Sequence, residues 1–128
     1  MTNRDYKNLL VTGGAGFIGS SFVARQVNQK RNIIVLDKLT YAGKVENLSW
    51  IKFANYKLIQ GDILDESLVD DILEKYDIDC LVHFAAESHV DNSIENPDVF
   101  IQSNINGTYT LLKSALNYRN KKKLDFHF

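Results

Sequence analysis

The sequence predicts an α/β fold built on a doubly wound parallel sheet, and three observations carry that reading. Short, continuous apolar runs alternate along the chain with segments whose apolar residues recur every three or four positions. Continuous apolar runs mark strands buried on both faces, and their alternation with amphipathic helices calls for right-handed crossovers that cover the sheet on either side. The third observation is size: 128 residues, 45% of them hydrophobic and 24% charged, make one globular domain, spanning residues 1–128, with enough apolar surface for a core.

The elements follow in order. Leu9, Leu10 and Val11 form a buried-strand run that ends at Thr12 and a group of glycines. Ile18, Phe22, Val23 and Val27 have helical spacing. Ile33 to Leu36 is β-branched and continuous and stops at Asp37. Tyr41 to Asn47 reads as a loop entering a short helix through Trp50 and Phe53. Tyr56 to Ile63 reads as the third strand. Leu68, Val69, Ile72, Leu73 and Tyr76 mark a second amphipathic helix, with Asp65 placed to cap its start. Cys80 to Ala86 is a fourth strand. Ile101, Ile105, Tyr109, Leu112 and Leu116 predict a long third helix, and Asn96-Pro97 suits its first turn, with Asn as cap and Pro at the first helical position. Lys121 to Lys123 reads as its solvated end. Leu124, Phe126 and Phe128 alternate, as at the beginning of a fifth strand. No helix follows it, so the sequence reads as the front part of a longer doubly wound design, truncated after the fifth strand.

Composition excludes several functions. Fifteen basic and 16 acidic side chains give a net charge of −1, so no global field is available for a polyanion and a nucleic-acid-binding module is not expected. One cysteine, Cys80, rules out an internal disulfide framework, which together with the lack of a signal peptide suits a reducing cytoplasm. No apolar run approaches the roughly 18 residues of a membrane span.

The chemistry begins between the first strand and the first helix. Gly13, Gly16 and Gly19 are spaced by three in Thr12 to Gly19. In that strand–loop–helix context the first glycine permits the turn, the second lets a pyrophosphate approach the backbone, and the third lets helix and strand pack closely. The free N–H groups of the helix start would face the phosphates. This predicts a Rossmann-like dinucleotide site. Asp37 lies 18 residues past Gly19, at the end of the second strand, where a carboxylate takes the ribose hydroxyls and repels a 2′-phosphate. NAD is therefore expected over NADP, with Lys38 as a partial offset. Asp62 and Ile63 at the end of the third strand are placed to meet the adenine. In the fourth strand His83 reads as a satisfied core residue, and His89 on the following loop is better placed to face a ligand.

Four segments carry a family resemblance. Thr12 to Gly19 resembles the cofactor loop of the extended short-chain dehydrogenases/reductases. Asp37 to Gly43, Ala85 to Asp91 and Asn104 to Leu112 narrow it to the dTDP-glucose 4,6-dehydratases, over essentially the whole chain. One departure is Asn92, where the family usually has arginine. The resemblance implies a lyase that uses bound NAD: the sugar is oxidised at C4, water is eliminated across C5–C6, and hydride returns at C6. It implies that Phe17 and Ile18 cover the pyrophosphate, that Asp37, Lys38, Leu39 and Thr40 surround the adenosine ribose, and that Asp62 and Ile63 hold the adenine. Phe84, Ala85, Ala86, Glu87 and Ser88 would line the cofactor channel, with Ser88 also reaching the substrate, dTDP-glucose. Ser103 stands where the family usually has a threonine facing the cofactor, and Asn104 would stabilise the bend of its helix. A homodimer is expected of the full-length family.

No catalytic residue is assigned. The family's Thr-Asp-Glu segment and the Tyr-x-x-x-Lys pair on the next helix would come after Phe128. Tyr109–Lys113 and Tyr118–Lys122 match the second pattern, but both lie on the helix after the fourth strand. Tyr118 is 14 residues past Asn104, about 20 Å along the helix. Two further readings stand beside the dehydratase: a non-catalytic nucleotide-binding or interaction module, and another sugar-nucleotide dehydratase or epimerase.

Overall fold

The computed structural model describes residues 5–51, 55–122 and 125–128. Four parallel strands, β1 (Asn8–Thr12), β2 (Asn32–Asp37), β3 (Tyr56–Gln60) and β4 (Cys80–His83), form one sheet in the order β3-β2-β1-β4. The order reverses beside β1: the chain moves outward to β2 and β3, then crosses back to β4 on the other side. This is the doubly wound arrangement that the alternating pattern predicts. Register pairs Leu10 with Ile34 and Leu81, and Val11 with Val35 and Val82.

The helices are α1 (Phe17–Asn28), α2 (Glu66–Lys75), α3 (Val90–Glu95), α4 (Pro97–Phe100) and α5 (Thr108–Lys122). A π-helical stretch, Ile101–Gly107, joins α4 to α5 without leaving helical dihedrals at Phe100, Ile101 or Thr108. Successive strand residues point to opposite faces, and each face builds a core. Leu9, Val11, Ile33 and Val35 pack with Val23, Ala24 and Val27 of α1 and with Leu48. Leu10, Ile34, Leu36 and Leu81 pack with Val69, Ile72 and Leu73 of α2 and Leu111, Ala115 and Tyr118 of α5. Asp65 caps α2 as expected, its Oδ1 accepting from the Leu68 amide at 3.0 Å.

The structure differs from the sequence reading at several places. The third and fourth strands end at Gln60 and His83, so Asp62, Ile63 and Ala85 to Glu87 lie on the loops beyond them. The segment after β2 forms only a 3₁₀ turn, Val45–Asn47, and Phe53 lies outside the described residues. Asn96 does not cap: its side chain makes no cap bond, and Pro97 takes the first helical position alone. The fifth strand is reduced to one parallel bridge, His127 to Cys80, and Leu124 lies outside the described residues. Phe126 is nonetheless buried against Tyr118, their rings 5.6 Å apart.

The largest difference concerns the third predicted helix. Its apolar stripe does not face the core: Ile101, Ile105, Tyr109, Leu112 and Leu116 are all exposed, Tyr109 by 65%. The buried side of this helix is Gly107, Leu111, Ser114, Ala115 and Tyr118. Among the described residues no helix is long and apolar enough to cross a membrane.

Candidate cofactor cleft

A cleft opens outside the carboxyl ends of the strands, where the order reverses beside β1. Ligands of open α/β sheets bind at such a place. Its floor is the glycine loop. Gly13 has φ +68°, and a Cβ there would stand 2.5 Å from the Ala85 amide nitrogen, so the β1 loop and the segment after β4 touch backbone to backbone. Gly19 sits against the Gly13 carbonyl with no room for a side chain. The α1 N-terminus carries no side-chain cap, which leaves its first N–H groups without a side-chain partner beside the glycine loop.

One wall comes from β2 and the loop after it. Asp37 is buried, 8% exposed, yet both of its oxygens are held by backbone: Oδ2 accepts from the Ala15 amide at 2.9 Å and Oδ1 from the Leu39 amide at 2.8 Å. The second bond locks Leu39 in the left-handed region, φ 57°. A carboxylate has further lone pairs, and Asp37 still lines the cleft. Lys38 makes an ion pair with Asp62 at 3.0 Å, and Asp62 also accepts from the Leu64 amide at 3.0 Å. Ile63 is buried beneath it, against Gly107.

The opposite wall is Phe84 to Glu87 and Ser103. Asn104, in the π-helical stretch, holds it in place. Its Oδ1 accepts from the Glu87 amide at 2.8 Å, and its Nδ2 donates to the Glu87 carbonyl at 2.9 Å. A side-chain amide thus pairs with a peptide as a neighbouring strand would.

The cleft therefore brings together most of the residues singled out in the sequence: Gly13 and Gly16; Asp37, Lys38 and Thr40; Asp62 and Ile63; Phe84 to Glu87; and Ser103. Phe17, Ile18, Gly19, Leu39 and Ser88 do not line it. Phe17 and Ile18 are 88% and 67% exposed on the first turn of α1, and Ser88 is exposed beyond the wall. Leu36, Ala42, Gly43 and Gly61 line it without having been singled out as site residues. The signal for Ala42 and Gly43 was small size: Gly43 lies directly on the Asp37 carboxylate, where any side chain would collide. Of the two histidines considered, His83 is half-buried and fully hydrogen-bonded, and His89 is exposed with its ring against Tyr41. Tyr118 is buried in the core and Tyr109 stands on the exposed helix face, so neither reaches the cleft. Among the described residues no group of acids, histidines or cysteine is arranged to hold a metal ion.

This fold and cleft are those of the extended short-chain dehydrogenases/reductases. Within that class the chain belongs to the GDP-mannose 4,6 dehydratase family, whose sequence model matches residues 10–128. It is 46% identical over 126 residues to the dTDP-glucose 4,6-dehydratase of Salmonella typhimurium, covering 94% of this chain and 35% of that protein. It is 49% identical over 109 residues to that of Mycobacterium tuberculosis, covering 84% and 32%. Among solved structures, the dTDP-glucose 4,6-dehydratase DesIV of Streptomyces venezuelae, crystallised with NAD, matches with a TM-score of 0.80 and 43% identity, covering 94% of this chain and 38% of that one. The UDP-glucose 4-epimerase of Thermotoga maritima matches with a TM-score of 0.79 and 36% identity, covering 87% and 34%. The chain thus spans about a third of the length of the proteins it matches.

Proposed function

We propose that this chain is the NAD-binding part of a dTDP-glucose 4,6-dehydratase. The observation that carries the reading is the joint placement of the glycine loop and a buried, backbone-held Asp37 at the switch point of the sheet. The residues present fit the cofactor: Gly13 leaves a cradle that a Cβ would fill, and the uncapped start of α1 offers N–H groups to a pyrophosphate. Gly13 and Gly16 would take the pyrophosphate, Asp37 the ribose hydroxyls, and Asp62 with Ile63 the adenine, while Phe84 to Glu87 and Ser103 would border the rest of the channel. Phe17 and Ile18 would cover the pyrophosphate from the rim, Leu39 would back the ribose, and Ser88 would reach substrate from beyond the wall. When bound, NAD supplies a reversible hydride acceptor for sugar oxidation at C4 and hydride return at C6 after loss of water. The lone pairs of Asp37 orient the adenosine half, and its charge opposes a 2′-phosphate. Because Lys38 is already paired with Asp62, its cation is not free to offset that repulsion.

The dehydratase reading is favoured over the epimerase by Leu39 to Gly43 and Glu87 to His89, and by the higher identity to DesIV than to the epimerase. Among the described residues no tyrosine lines the cleft; on this reading the chain supplies the cofactor half of the reaction. Titration calorimetry is expected to show NAD binding more tightly than NADP, with no conversion of dTDP-glucose by the 128-residue chain. Equal affinity for the two cofactors would overturn the cofactor reading, and measurable turnover would overturn the assignment of the cofactor half alone.

The exposed stripe Ile101, Ile105, Tyr109, Leu112 and Leu116 completes the proposal. A contiguous exposed apolar face marks a partner surface, and a straight stripe along one helix is self-complementary when two copies lie antiparallel. We assign it to a second copy of this chain, pairing helix against helix.

A further inference from the structure

His83 does not line the cleft, yet it sits at the centre of a hydrogen-bond chain that joins the end of β1, at the cleft's floor, to the Phe84–Glu87 wall. The Thr108 hydroxyl donates to the Asn104 carbonyl at 2.8 Å, the only role open to it against an acceptor. Its oxygen must then accept from His83 Nε2, 2.9 Å away. A neutral ring protonated at Nε2 leaves Nδ1 bare, and Nδ1 lies 2.6 Å from the Thr12 hydroxyl, which donates to it. The Thr12 oxygen in turn faces the Ala85 amide at 3.4 Å. Every donor in this chain meets an acceptor in one arrangement only. Burial pushes the imidazole pKa down, which favours the same neutral ring.

The ends of the chain are where the cleft is built. Thr12 is the last residue of β1 and precedes Gly13, whose backbone touches Ala85. Thr108 opens α5 at the point where the π-helical stretch closes, and the carbonyl it binds belongs to Asn104, whose side chain grips Glu87 on both backbone groups. π-Helical turns are poorer in backbone hydrogen bonding than α-helix and are found at functional sites. Here Asn104 lies within that stretch and its side chain meets Glu87.

We propose that His83 is a positioning residue: as a neutral imidazole protonated at Nε2, it ties the glycine loop to the π-helical turn and so fixes the Ala85–Glu87 wall against Gly13. The inference rests on the cofactor reading for its purpose, but its bonds are testable without cofactor.

Three measurements on the whole chain test it. The ring-nitrogen NMR spectrum of the wild type is expected to show Nε2 protonated and Nδ1 bare at neutral pH; the opposite tautomer overturns the proposal. In His83→Phe, amide exchange at Ala85 and Glu87 is expected to quicken by about tenfold or more while Leu10 and Val35 in the sheet keep their rates. Uniform loss of protection would mean a merely structural role and would overturn it. NAD affinity is expected to fall about tenfold in His83→Phe, the scale of one lost buried hydrogen bond. His83→Asn, which keeps an acceptor near Thr12, should recover part of that loss. Thr108→Val should weaken binding as well, and adding it to His83→Phe should cost less than the two separate losses combined. Simple additivity, or His83→Phe binding NAD as the wild type does, overturns the proposal while leaving the cofactor reading intact. If His83→Phe does not fold, the wild-type tautomer and the Ala85 and Glu87 exchange rates in Thr108→Val decide. A wild type that binds no NAD would refute the cofactor reading, and the tautomer and exchange data would still decide the tie.

Discussion

Asp37 holds two loops together, and on the proposed reading the same side chain takes the ribose. Its oxygens accept from the Ala15 and Leu39 amides, drawing the glycine loop and the β2 loop onto one carboxylate. Gly43 closes over it, so the charge is buried but satisfied, as a buried charge must be. Asp37→Ala therefore removes two loop-holding bonds besides the proposed ligand contact. Affinity for NAD is expected to fall by about 1–3 kcal/mol, the range for hydrogen bonds to a charged group. The gap between NAD and NADP should narrow, since the repulsion of a 2′-phosphate is lost with the charge. Calorimetry with both cofactors reads both effects; an unchanged NAD-to-NADP ratio in the variant would show that selectivity lies elsewhere. The sequence made Asp37 legible because an acid at the end of the second strand has few other uses. It did not show the Lys38–Asp62 ion pair, which joins loops 24 residues apart in sequence and leaves no local pattern.

Elements were legible where a pattern has one physical cause, and misread where it has two. Continuous apolar runs have one cause here, burial between helix layers, and β1, β2 and β4 were placed by them. The endings of β3 and β4 were overextended because Gly61, Ile63 and Phe84 to Ala86 are apolar or small where they line the cleft, beyond the sheet. Recurrence every three or four residues has two causes, a core and a partner surface. In the helix from Pro97 to Lys122 the recurrence lies on the exposed side. The core side relies on Gly107, Ser114 and Ala115, whose small size permits close approach to α2 and Ile63 without any hydropathy signal. A consequence distinguishes the two causes. Replacing Tyr109 and Leu116 by Gln leaves the buried contacts of Leu111, Ala115 and Tyr118 untouched. The double variant is expected to unfold within about 0.5 kcal/mol per site of the wild type, as surface substitutions do. Its self-association should weaken by about tenfold or more, since truncated central apolar anchors carry most of an interface's energy. Sedimentation against concentration checks the second expectation. A variant that associates as the wild type does would remove this face as the dimer contact.

At the scale of the whole molecule the sheet is sealed between two helix layers, and Cys80 reports on that seal. It lies on β4, 5% exposed, packed with the α1-side core and bridged to His127. Burial, helped by the Asp79 charge and opposed by Arg31, pushes its thiol from an ordinary 9.0 up to about 11. The native thiol is thus protonated and enclosed, and alkylation at pH 8 should proceed only through opening of the sheet. The same shift links stability to pH. The folded state holds the proton more tightly than the unfolded chain does. Below about pH 8.5 both states are protonated and the contribution is fully present; it is lost as pH rises through the folded pKa near 11. A rise from 9.0 to about 11 makes that loss on the order of 3 kcal/mol across the window. Other groups titrate there too, so the comparison is with Cys80→Ala, which removes the thiol and leaves those groups in place. The variant should be less stable than the wild type at pH 7, by the cost of a small cavity, and the difference should shrink as pH rises from about 9 to 11 and can reverse in sign. Urea unfolding at several pH values measures both curves. Curves that stay parallel across the window would show that Cys80 ionises as readily in the fold as in the unfolded chain, and that β4 is open to water at its outer edge.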